Sequence, residues 1–298
     1  MLARVRAFFA ARNVLEVDTP ILSPTAPIAT HIDVMHVGVA PGQVGYLHTS
    51  PEHAMKRLLA MGSGDIYQLG HVFRAAEMGR KHNPEFMMIE WYRLQLDYDA
   101  FIEETLDVIR LFVGELPSER LTYRAALIRF AGCDITASDA ELYAAAGKHE
   151  LLPKDFDPSD RDGLFNLLFS FLVEPHLGQE QLTVICDYPA SQAALAKTRL
   201  LDGQLVAARY EIYFKGIELA NGYDELTDAR EQRRRYISDN EERVRRGKDA
   251  LPLDEAFLEA IEHGFPDCRG VAVGFDRLLM LRTELASISD VLPFTWPN

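Results

Sequence analysis

One carboxylate, Glu90, lies inside an apolar run in the segment HNPEFMMIEWY (82–92). Burying an ionised carboxylate costs several kcal/mol unless a cation neutralises it or it takes up a proton. Tyr92 is two positions further on, so a strand here would place both side chains on one face. Glu90 therefore predicts either a buried pair with an arginine or lysine of the protein or a binding site for a cationic ligand.

A second group of carboxylates surrounds a predicted tight turn at Lys215-Gly216. Glu211 and Glu218 lie on either side of this turn, and two such carboxylates could bind a divalent cation between them. Mg²⁺ prefers one or two carboxylates together with phosphate oxygens. The alternate positions Asn221, Tyr223 and Glu225 would share one face of a strand. The pattern predicts a metal site and a polar pocket, although each residue taken alone is more typical of a structural role.

Two arginines complete the set of residues that could carry out chemistry. Arg74 ends a predicted strand, and Arg277 falls in the first turn of a predicted helix, where the helix dipole does not favour a cation. Such an arginine either points to solvent or binds an anion or an aromatic face. The chain lacks the P-loop, strand–GxGxxG–helix, HExxH and GxSxG patterns. We therefore expect arginines for phosphate, carboxylates for metal and further carboxylates for a cationic ligand.

The composition is that of a soluble globular protein with an acidic balance. The 298 residues carry 31 basic and 45 acidic side chains, for a net charge of −14, and 48% are hydrophobic. An acidic balance is not typical of proteins that bind nucleic-acid backbones. The one dense basic stretch, 230–246, alternates with acidic residues, which favours a solvated helix face over a nucleic-acid patch. No apolar stretch approaches the length of a membrane span, and three separated cysteines without a CxxC predict reduced thiols in a cytoplasmic protein.

Strands in this sequence come mainly as hairpins instead of alternating with helices. Predicted strands cover 14–18, 65–74, 85–96, 182–188, 205–214, 217–223 and 270–274, and predicted helices cover 2–12, 50–61, 98–113, 228–246 and the chain from Asp276. This order favours an α+β fold with an antiparallel β-sheet flanked by helices. We expect a single domain over residues 1–298, with a mostly helical insertion at about 121–178.

Three segments resemble the three motifs of class II aminoacyl-tRNA synthetases. VDTPILSP (17–24) resembles motif 1, FRAAEMGRKHNPEFMMIEWY (73–92) resembles motif 2, and GVAVGFDRLLM (270–280) resembles motif 3. TSPEHAMKRLL (49–59) and KGIELANGYDELTDAREQ (215–232) extend the similarity to the catalytic domain of lysyl-tRNA synthetases and to their short paralogs, ligases that attach (R)-β-lysine to elongation factor P. The resemblance covers nearly the whole chain. It implies the class II catalytic fold without an OB-fold anticodon-binding domain, and therefore no anticodon recognition.

The resemblance implies an ATP site made by motif 2, motif 3 and the carboxylate pair. Arg74 would bind the α-phosphate and the substrate carboxylate, His82 and Asn83 would contact phosphates, and Phe86 and Arg277 would sandwich the adenine. The implied ATP-binding residues are Arg74, Ala76, Glu77, His82, Asn83, Phe86, Glu211, Ile212, Gly274 and Arg277; the implied catalytic residues are Arg74, Glu211, Glu218 and Arg277, and the implied Mg²⁺ ligands are Glu211 and Glu218.

The resemblance also implies an amino-acid pocket in which Glu90 would receive a substrate ammonium. The implied substrate-binding residues are Ser50, Pro51, Glu52, Glu90, Tyr92, Glu218, Asn221, Glu225 and Ala272. Ser50 and Ala272 stand where lysyl-tRNA synthetases have alanine and glycine. An extra methyl group in a tight pocket changes substrate discrimination by about 1–3 kcal/mol. That is enough to move the preference from α-lysine to a β-amino isomer.

One position departs from motif 2 of the synthetases. Their pattern is Arg-x-Glu, whereas Ala76 stands two positions after Arg74. The missing glutamate normally orients the ATP end of the site. We expect either Glu77, at the next position, or backbone groups to replace this contact.

The activity implied by the resemblance is a two-step ligation that consumes ATP. ATP and (R)-β-lysine would form β-lysyl-adenylate and pyrophosphate, and the ε-amine of a lysine on elongation factor P would then attack the activated carbonyl and release AMP. Two other functions stay open: a free-standing lysyl-tRNA synthetase-like domain that acts on tRNA or a small amine, and an inactive regulator that binds lysine or nucleotide. Motif 1 implies a homodimer.

Overall fold

The computed structural model describes residues 1–296 and contains helices and strands in both halves of the chain. Its α-helices are α1 (Leu2–Ala10), α2 (Glu52–Ala60), α3 (Tyr98–Val113), α4 (Tyr123–Ala131), α5 (Asp139–Lys148), α6 (Arg161–Leu168), α7 (Ala229–Arg245), α8 (Glu255–Gly264) and α9 (Phe275–Thr283). Its strands are β1 (Leu15–Glu16), β2 (Leu22–Ser23), β3 (Met35–Ala40), β4 (Gln43–Leu47), β5 (Ile66–Phe73), β6 (Glu85–Leu94), β7 (Ser118–Thr122), β8 (Leu182–Pro189), β9 (Thr198–Leu201), β10 (Gln204–Phe214), β11 (Ile217–Asp224) and β12 (Cys268–Gly274).

The chain divides into two compact units. The first unit contains Met1–Gly114 and the chain from Asp224 onward, and the second contains Glu115–Tyr223. The segment predicted to be a helical insertion falls inside the second unit. Its status as an insertion in a single catalytic domain stays a prediction.

The first unit is centred on the strands β1, β5, β6 and β12, which lie in that order in the sheet. The pair β5–β6 and the pair β6–β12 are antiparallel, and β1 pairs with β5 in parallel. The register places Glu90 of β6 between Gln68 and Ala272. Strand alternation then directs Glu90 and Tyr92 to the same face, as the spacing predicts.

Aromatic side chains hold the helices of the first unit against this sheet. Val5 and Phe9 of α1 are buried, and the Phe9 ring stacks on Tyr67 of β5 at 4.3 Å between centroids. Trp91, on the opposite face of β6 from Glu90, lies 5.9 Å from the Phe101 ring of α3. Burial of aromatic side chains supplies much of the apolar area in such a core.

The second unit is centred on β11, β10, β8 and β7, with β9 paired to β10. All of these pairs are antiparallel except β7–β8. Its core includes Tyr123 of α4, whose ring stacks on Phe169 at 4.4 Å and lies 5.0 Å from Tyr188 of β8. These contacts fix the strand that carries Tyr188, which belongs to the polar cluster described below.

The predicted α+β fold with a mainly antiparallel sheet and flanking helices is confirmed, with several corrections to its elements. The two parallel pairs, the small antiparallel sheet β2–β4–β3 and helix α8 were not predicted from the sequence. The segment expected to be helical from residue 121 begins with the end of β7 and contains α4, α5, α6 and a π-helical turn at Phe169–Val173.

The long charged helix α7 shows the expected solvated face. Asp228 accepts backbone hydrogen bonds from Arg230 and Glu231 at its start, as is typical of a capping residue at the predicted start of this helix. Glu231 pairs with Arg235 at 3.0 Å one turn later. Arg243 is the exception, since it is buried and donates to the backbone oxygens of Ala29 and Ile32. Within residues 1–296, none of the helices is long and apolar enough to span a membrane.

Candidate active site

Ser50, at the start of α2, lies next to Glu90, the buried carboxylate in the middle of β6. The Ser50 hydroxyl donates to Glu90 Oε2 at 2.6 Å and accepts from the backbone N–H of Glu52 at 3.0 Å. Pro51 occupies the N-cap position of α2, and Ser50 caps the helix from the position before it. An alanine at position 50 would remove the donor to Glu90.

Glu90 is buried and receives a second hydroxyl from its own strand. Tyr92 donates to Glu90 Oε1 at 2.7 Å, and Glu90 is only 2% exposed. Burial and the neighbouring Glu52 carboxylate raise the pKa of Glu90 to about 7, against the lowering effect of the two hydroxyls and Lys56. Glu90 is therefore only partly ionised at neutral pH, and a bound cation would favour its ionised form.

Lys56, one turn after Glu52 on α2, forms a buried bridge between two carboxylates of the expected pocket. Its Nζ lies 2.6 Å from Glu52 Oε1 and 2.6 Å from Glu225 Oε2. Burial alone would lower the pKa of Lys56, but the Glu225 and Glu52 charges raise it above its ordinary value. Burial raises the pKa of Glu225 to about 8, although Lys56 acts in the opposite direction. The lysine is thus a permanent cation inside a carboxylate cluster.

Strand β12 forms one wall of this cluster through its smallest residues. Gly270 pairs with Tyr92, and Ala272 pairs with Glu90. A Cβ atom at Gly270 would lie 2.2 Å from Glu225 Oε1 and 2.4 Å from Tyr92 Cε1, distances that real Cβ atoms do not show. Gly270 is therefore required for Tyr92 and Glu225 to approach each other.

The predicted phosphate and adenine residues of the first unit lie in the loop between β5 and β6, on β6 and on α9. The Arg74 guanidinium lies 5.1 Å from the centre of the Phe86 ring, and Glu77 Oε1 lies 3.8 Å from Arg74 Nη1. Arg277 donates to His82 Nε2 at 2.8 Å. Burial and the Arg277 charge lower the pKa of His82, so its imidazole is neutral near pH 7. The arrangement presents a cationic and aromatic surface suited to a nucleotide.

The other predicted ATP residues of the first unit have local structural roles. Ala76 has a φ of 60°, a left-handed conformation that is uncommon for residues other than glycine. The Asn83 amide donates to the backbone oxygen of Glu85 at 2.6 Å. A Cβ at Gly274 would make ordinary contacts with Arg277, the shortest at 3.6 Å. Crowding by other residues of the protein therefore does not explain why position 274 is a glycine. The expected closeness of Gly274 to ATP stays a prediction.

The second unit surrounds Glu211 of β10 with polar groups. Tyr188 donates to Glu211 Oε2 at 2.6 Å, and Tyr213 and Arg209 make further short contacts with the same carboxylate. Arg209 also donates from Nε to Asn221 Oδ1 at 3.1 Å, which matches the cross-strand pairing of Glu211 with Asn221. Glu211 is buried and its charge is balanced by Arg209.

The chemistry of this donor set fits the Mg²⁺ ion that the sequence predicts at Glu211 and Glu218. A carboxylate offers about four lone-pair positions, and the three donors around Glu211 leave one. Glu218 follows on β11, opposite Tyr213, and Ile212 is fully buried between Glu211 and Tyr213 in the chain. Within residues 1–296, no group of three or more His, Cys, Asp or Glu side chains could hold a metal ion. Any Mg²⁺ here would need ligands besides protein side chains.

The sequence analysis missed several residues of these clusters, among them Lys56, Arg209, Gly270 and Tyr188, which donates to Glu211. Lys56 follows Glu52 by four positions on a helix, so the i,i+4 spacing could have indicated their pairing. Arg209 precedes Glu211 by two positions in a strand, which also could have indicated a shared face. Gly270 gives no comparable signal, because its role depends on the distant side chains of Tyr92 and Glu225.

Comparison with known proteins gives a consistent assignment. The family "tRNA synthetases class II (D, K and N)" matches residues 1–297. Similar proteins named elongation factor P–(R)-beta-lysine ligase occur in Yersinia enterocolitica (45% identity over 300 residues), Salmonella typhi (46% over 301) and Edwardsiella ictaluri (45% over 303). Each alignment covers 99% of this chain and 92% of the relative. Since the family match extends over nearly its whole length, the chain belongs to the class II tRNA synthetases.

Proposed function

We propose that this protein ligates (R)-β-lysine to the ε-amino group of a lysine on elongation factor P. The reaction consumes ATP, passes through β-lysyl-adenylate and releases pyrophosphate and AMP. Relatives that carry the name of this ligase align over 99% of the chain at 45–46% identity. Members of the class II synthetase family use ATP to activate an amino acid, which agrees with this reaction.

The observation that carries the proposal is the buried Glu90 carboxylate. Two hydroxyls, from Ser50 and Tyr92, orient it. In the part of the chain that the structure describes, it forms no ion pair with a protein cation, whereas Glu52 and Glu225 pair with Lys56. A substrate ammonium would supply the missing partner and recover the cost of burying the charge. An amino acid with a cationic side chain or a displaced amino group fits this requirement.

Activation of the amino acid would depend on positioning and electrostatics. Arg74 would bind the α-phosphate and the substrate carboxylate, where its charge stabilises the negative charge that develops in the transition state. Phe86 and Arg277 would stack on the adenine, and His82 and Asn83 would contact phosphates. A Mg²⁺ ion held by Glu211 and Glu218 would neutralise phosphate charge. Ala272, opposite Glu90, and Ser50 would select the β-amino isomer.

The test is to weigh the products of a complete reaction. The protein is incubated with Mg-ATP, (R)-β-lysine or α-lysine, and elongation factor P or tRNA, and each acceptor is analysed by intact-mass spectrometry. We expect elongation factor P to gain one lysyl residue, with a larger yield from the β isomer. Glu90→Gln keeps the size of the side chain and removes its charge, and should lower kcat/KM for β-lysine about 10- to 100-fold, the value of one charged hydrogen bond.

Other results would assign a different function. Acylation of tRNA by α-lysine, with elongation factor P unchanged, would indicate a free-standing synthetase. No product on either acceptor and no release of AMP would indicate a binding protein without ligase activity. Either result would refute the proposed function.

We also propose that the protein is a cytoplasmic homodimer. Elongation factor P acts in translation, so its modifying enzyme would work in the same compartment. The dimer rests on the resemblance of 17–24 to motif 1. Size-exclusion chromatography with light scattering should give twice the 33.6 kDa chain mass, and a single-chain mass would exclude the dimer.

A further inference from the structure

Four charged side chains share one buried cluster in the first unit. The residues Glu52, Glu90 and Glu225 are 9%, 2% and 1% exposed, and Lys56 among them is 1% exposed. When all are ionised, three negative charges meet one positive charge. The cluster therefore keeps two negative charges that protein groups do not balance.

Lys56 has little freedom within this cluster. Its two contacts of 2.6 Å fix Nζ between α2 and the residue that follows β11. The Lys56 Nζ also lies 6.0 Å from the centre of the Tyr92 ring and 5.9 Å from that of Phe265. Aromatic faces at this distance favour a cation. The lysine thus acts as a fixed positive charge, unlike a surface lysine that samples many rotamers.

The remaining carboxylate groups are arranged to receive donors. Glu90 accepts from two hydroxyls only. Glu225 Oε2 has no aligned hydrogen bond to the described residues, although Lys56 Nζ is 2.6 Å away. Buried acceptors of this kind are rare in native proteins and usually meet a ligand or water. Glu90 therefore has no cation of its own within 4 Å among the described residues, and Glu225 shares its single cation, Lys56, with Glu52.

We propose that Lys56 is a positioning residue that sets the charge of this pocket, so that it selects an amino acid with two ammonium groups. This inference rests on the proposed function, because (R)-β-lysine carries a β-ammonium and an ε-ammonium. Lys56 balances the charge of one carboxylate, and the two ammonium groups of the substrate balance the charges of the other two. A monoamino acid leaves one buried negative charge unbalanced or protonated, and it binds more weakly for that reason.

Binding of a diammonium substrate is then coupled to loss of protons. Burial raises the pKa of Glu90 to about 7 and that of Glu225 to about 8, so both carry protons for part of the time near neutral pH. Two ammonium groups favour the ionised carboxylates, which release these protons. The charged and titratable groups that face the cluster are Glu52, His53 and Lys56 of α2, Glu90 and Tyr92 of β6, Glu225 after β11, Tyr236 of α7, and Asp254 before α8.

The experiment measures the pH dependence of kcat/KM for (R)-β-lysine in pyrophosphate exchange, between about pH 6 and 9. The variants are Lys56→Met, which removes the charge, and Lys56→Arg, which keeps it. An opposite charge at this distance lowers a carboxyl pKa by about 1–3 units. Lys56→Met should therefore move the acid limb of the profile upward by at least about one pH unit. Lys56→Arg should keep the limb near its wild-type position, even where its larger head group raises KM.

Lys154→Met is the matched control, because it removes one lysine charge from an exposed position in the second unit. Its profile should coincide with that of the wild type. A wild-type enzyme that does not use (R)-β-lysine would refute the proposed function itself. If the wild type uses (R)-β-lysine and the acid limb of the Lys56→Met profile coincides with that of the wild type, only the role of Lys56 is refuted.

A second measurement uses the wild type alone, in case Lys56→Met does not fold. Calorimetric titration with (R)-β-lysine, in two buffers with different ionisation enthalpies, counts the protons released on binding. The comparison ligand is the β-lysine analogue that lacks the ε-amino group. We expect β-lysine to bind at least about tenfold more tightly and to release more protons at neutral pH. Equal affinity and equal proton release for the two ligands would overturn the inference.

Discussion

The substitution Gly270→Ala tests the amino-acid pocket with a single methyl group. A Cβ at this position would lie 2.2 Å from Glu225 Oε1 and 2.4 Å from Tyr92 Cε1, and both neighbours must move until these distances reach at least 3.0 Å. Tyr92 donates to Glu90 at 2.7 Å, and Glu225 contacts Lys56 at 2.6 Å. The methyl group therefore disturbs both contacts without changing any charge.

The size of the effect follows from overpacking. An extra methyl group in a packed site costs about 1–3 kcal/mol. Part of this cost lowers the free energy of unfolding, and part appears as weaker substrate binding once the pocket rearranges. With 1.4 kcal/mol for each factor of ten, we expect kcat/KM for (R)-β-lysine to fall about 10- to 100-fold. KM for ATP should stay near its wild-type value, because the atoms nearest the added Cβ belong to Glu225 and Tyr92, which are not among the predicted ATP-binding residues.

Pyrophosphate exchange with each substrate varied in turn measures both constants, and a thermal melt shows how much folded protein remains. Gly147→Ala is the matched control, since its Cβ would make only an ordinary 3.5 Å contact with Leu152. It lies in α5, where alanine is a better helix former than glycine, so its activity should be unchanged. A folded Gly270→Ala enzyme with wild-type kcat/KM for β-lysine would show that Tyr92 and Glu225 do not form the substrate pocket.

Two further predictions concern the charges of the two carboxylate clusters. The pKa of Glu90 is raised from 4.5 to about 7 in the folded protein. Protonation of Glu90 therefore stabilises the fold fully below about pH 4.5, and this stabilisation is lost as the pH rises through 7. The free energy of unfolding of Glu90→Gln, measured in urea, should therefore rise relative to that of the wild type by about 3 kcal/mol across this window; parallel pH profiles would contradict the assignment. In the second unit, Glu218→Gln should raise the Mg²⁺ concentration for half-maximal pyrophosphate exchange about tenfold, whereas the exposed control Glu180→Gln should not. An unchanged Mg²⁺ dependence in Glu218→Gln would exclude Glu218 as a ligand.

Local patterns were sufficient to predict the strands that carry the candidate site. The alternation in 85–96 correctly placed Glu90 and Tyr92 on one face of β6, because side-chain direction depends only on the parity of the spacing. Similarly, Asp228 was correctly predicted to start α7, since its capping hydrogen bonds involve only the next three residues. Sequence reasoning works where the partners of a residue lie within one turn or one strand.

The elements that were missed depend on partners far away in the chain. Strand β7 has only five residues and forms through its parallel pairing with β8, about sixty positions later. The pair β3–β4 includes two glycines and exposed valines, so its strands show no clear alternation of apolar and polar residues. Short strands of this kind are stabilised by their neighbours in the sheet, and no local pattern identifies them.

The candidate site shows the same limit at the level of single contacts. Glu52 and Lys56 are neighbours on one helix, but the second partner of Lys56, Glu225, is distant in sequence. The sequence therefore predicted the carboxylates of the pocket and missed the cation that joins two of them. Once Lys56 is included, the number of positive charges that the pocket accepts from a ligand changes from three to two.

Glu90 and Glu211 show how similar surroundings give a carboxylate different chemistry. Each is buried, and each accepts hydrogen bonds from two hydroxyl groups. Arg209 balances the charge of Glu211 directly, whereas Glu90 has no direct cation among the described residues. Glu90 therefore gains most from a ligand ammonium. Glu211 gains little from a lone Mg²⁺ ion, so we expect metal binding to depend on the phosphate oxygens that ATP contributes to its coordination.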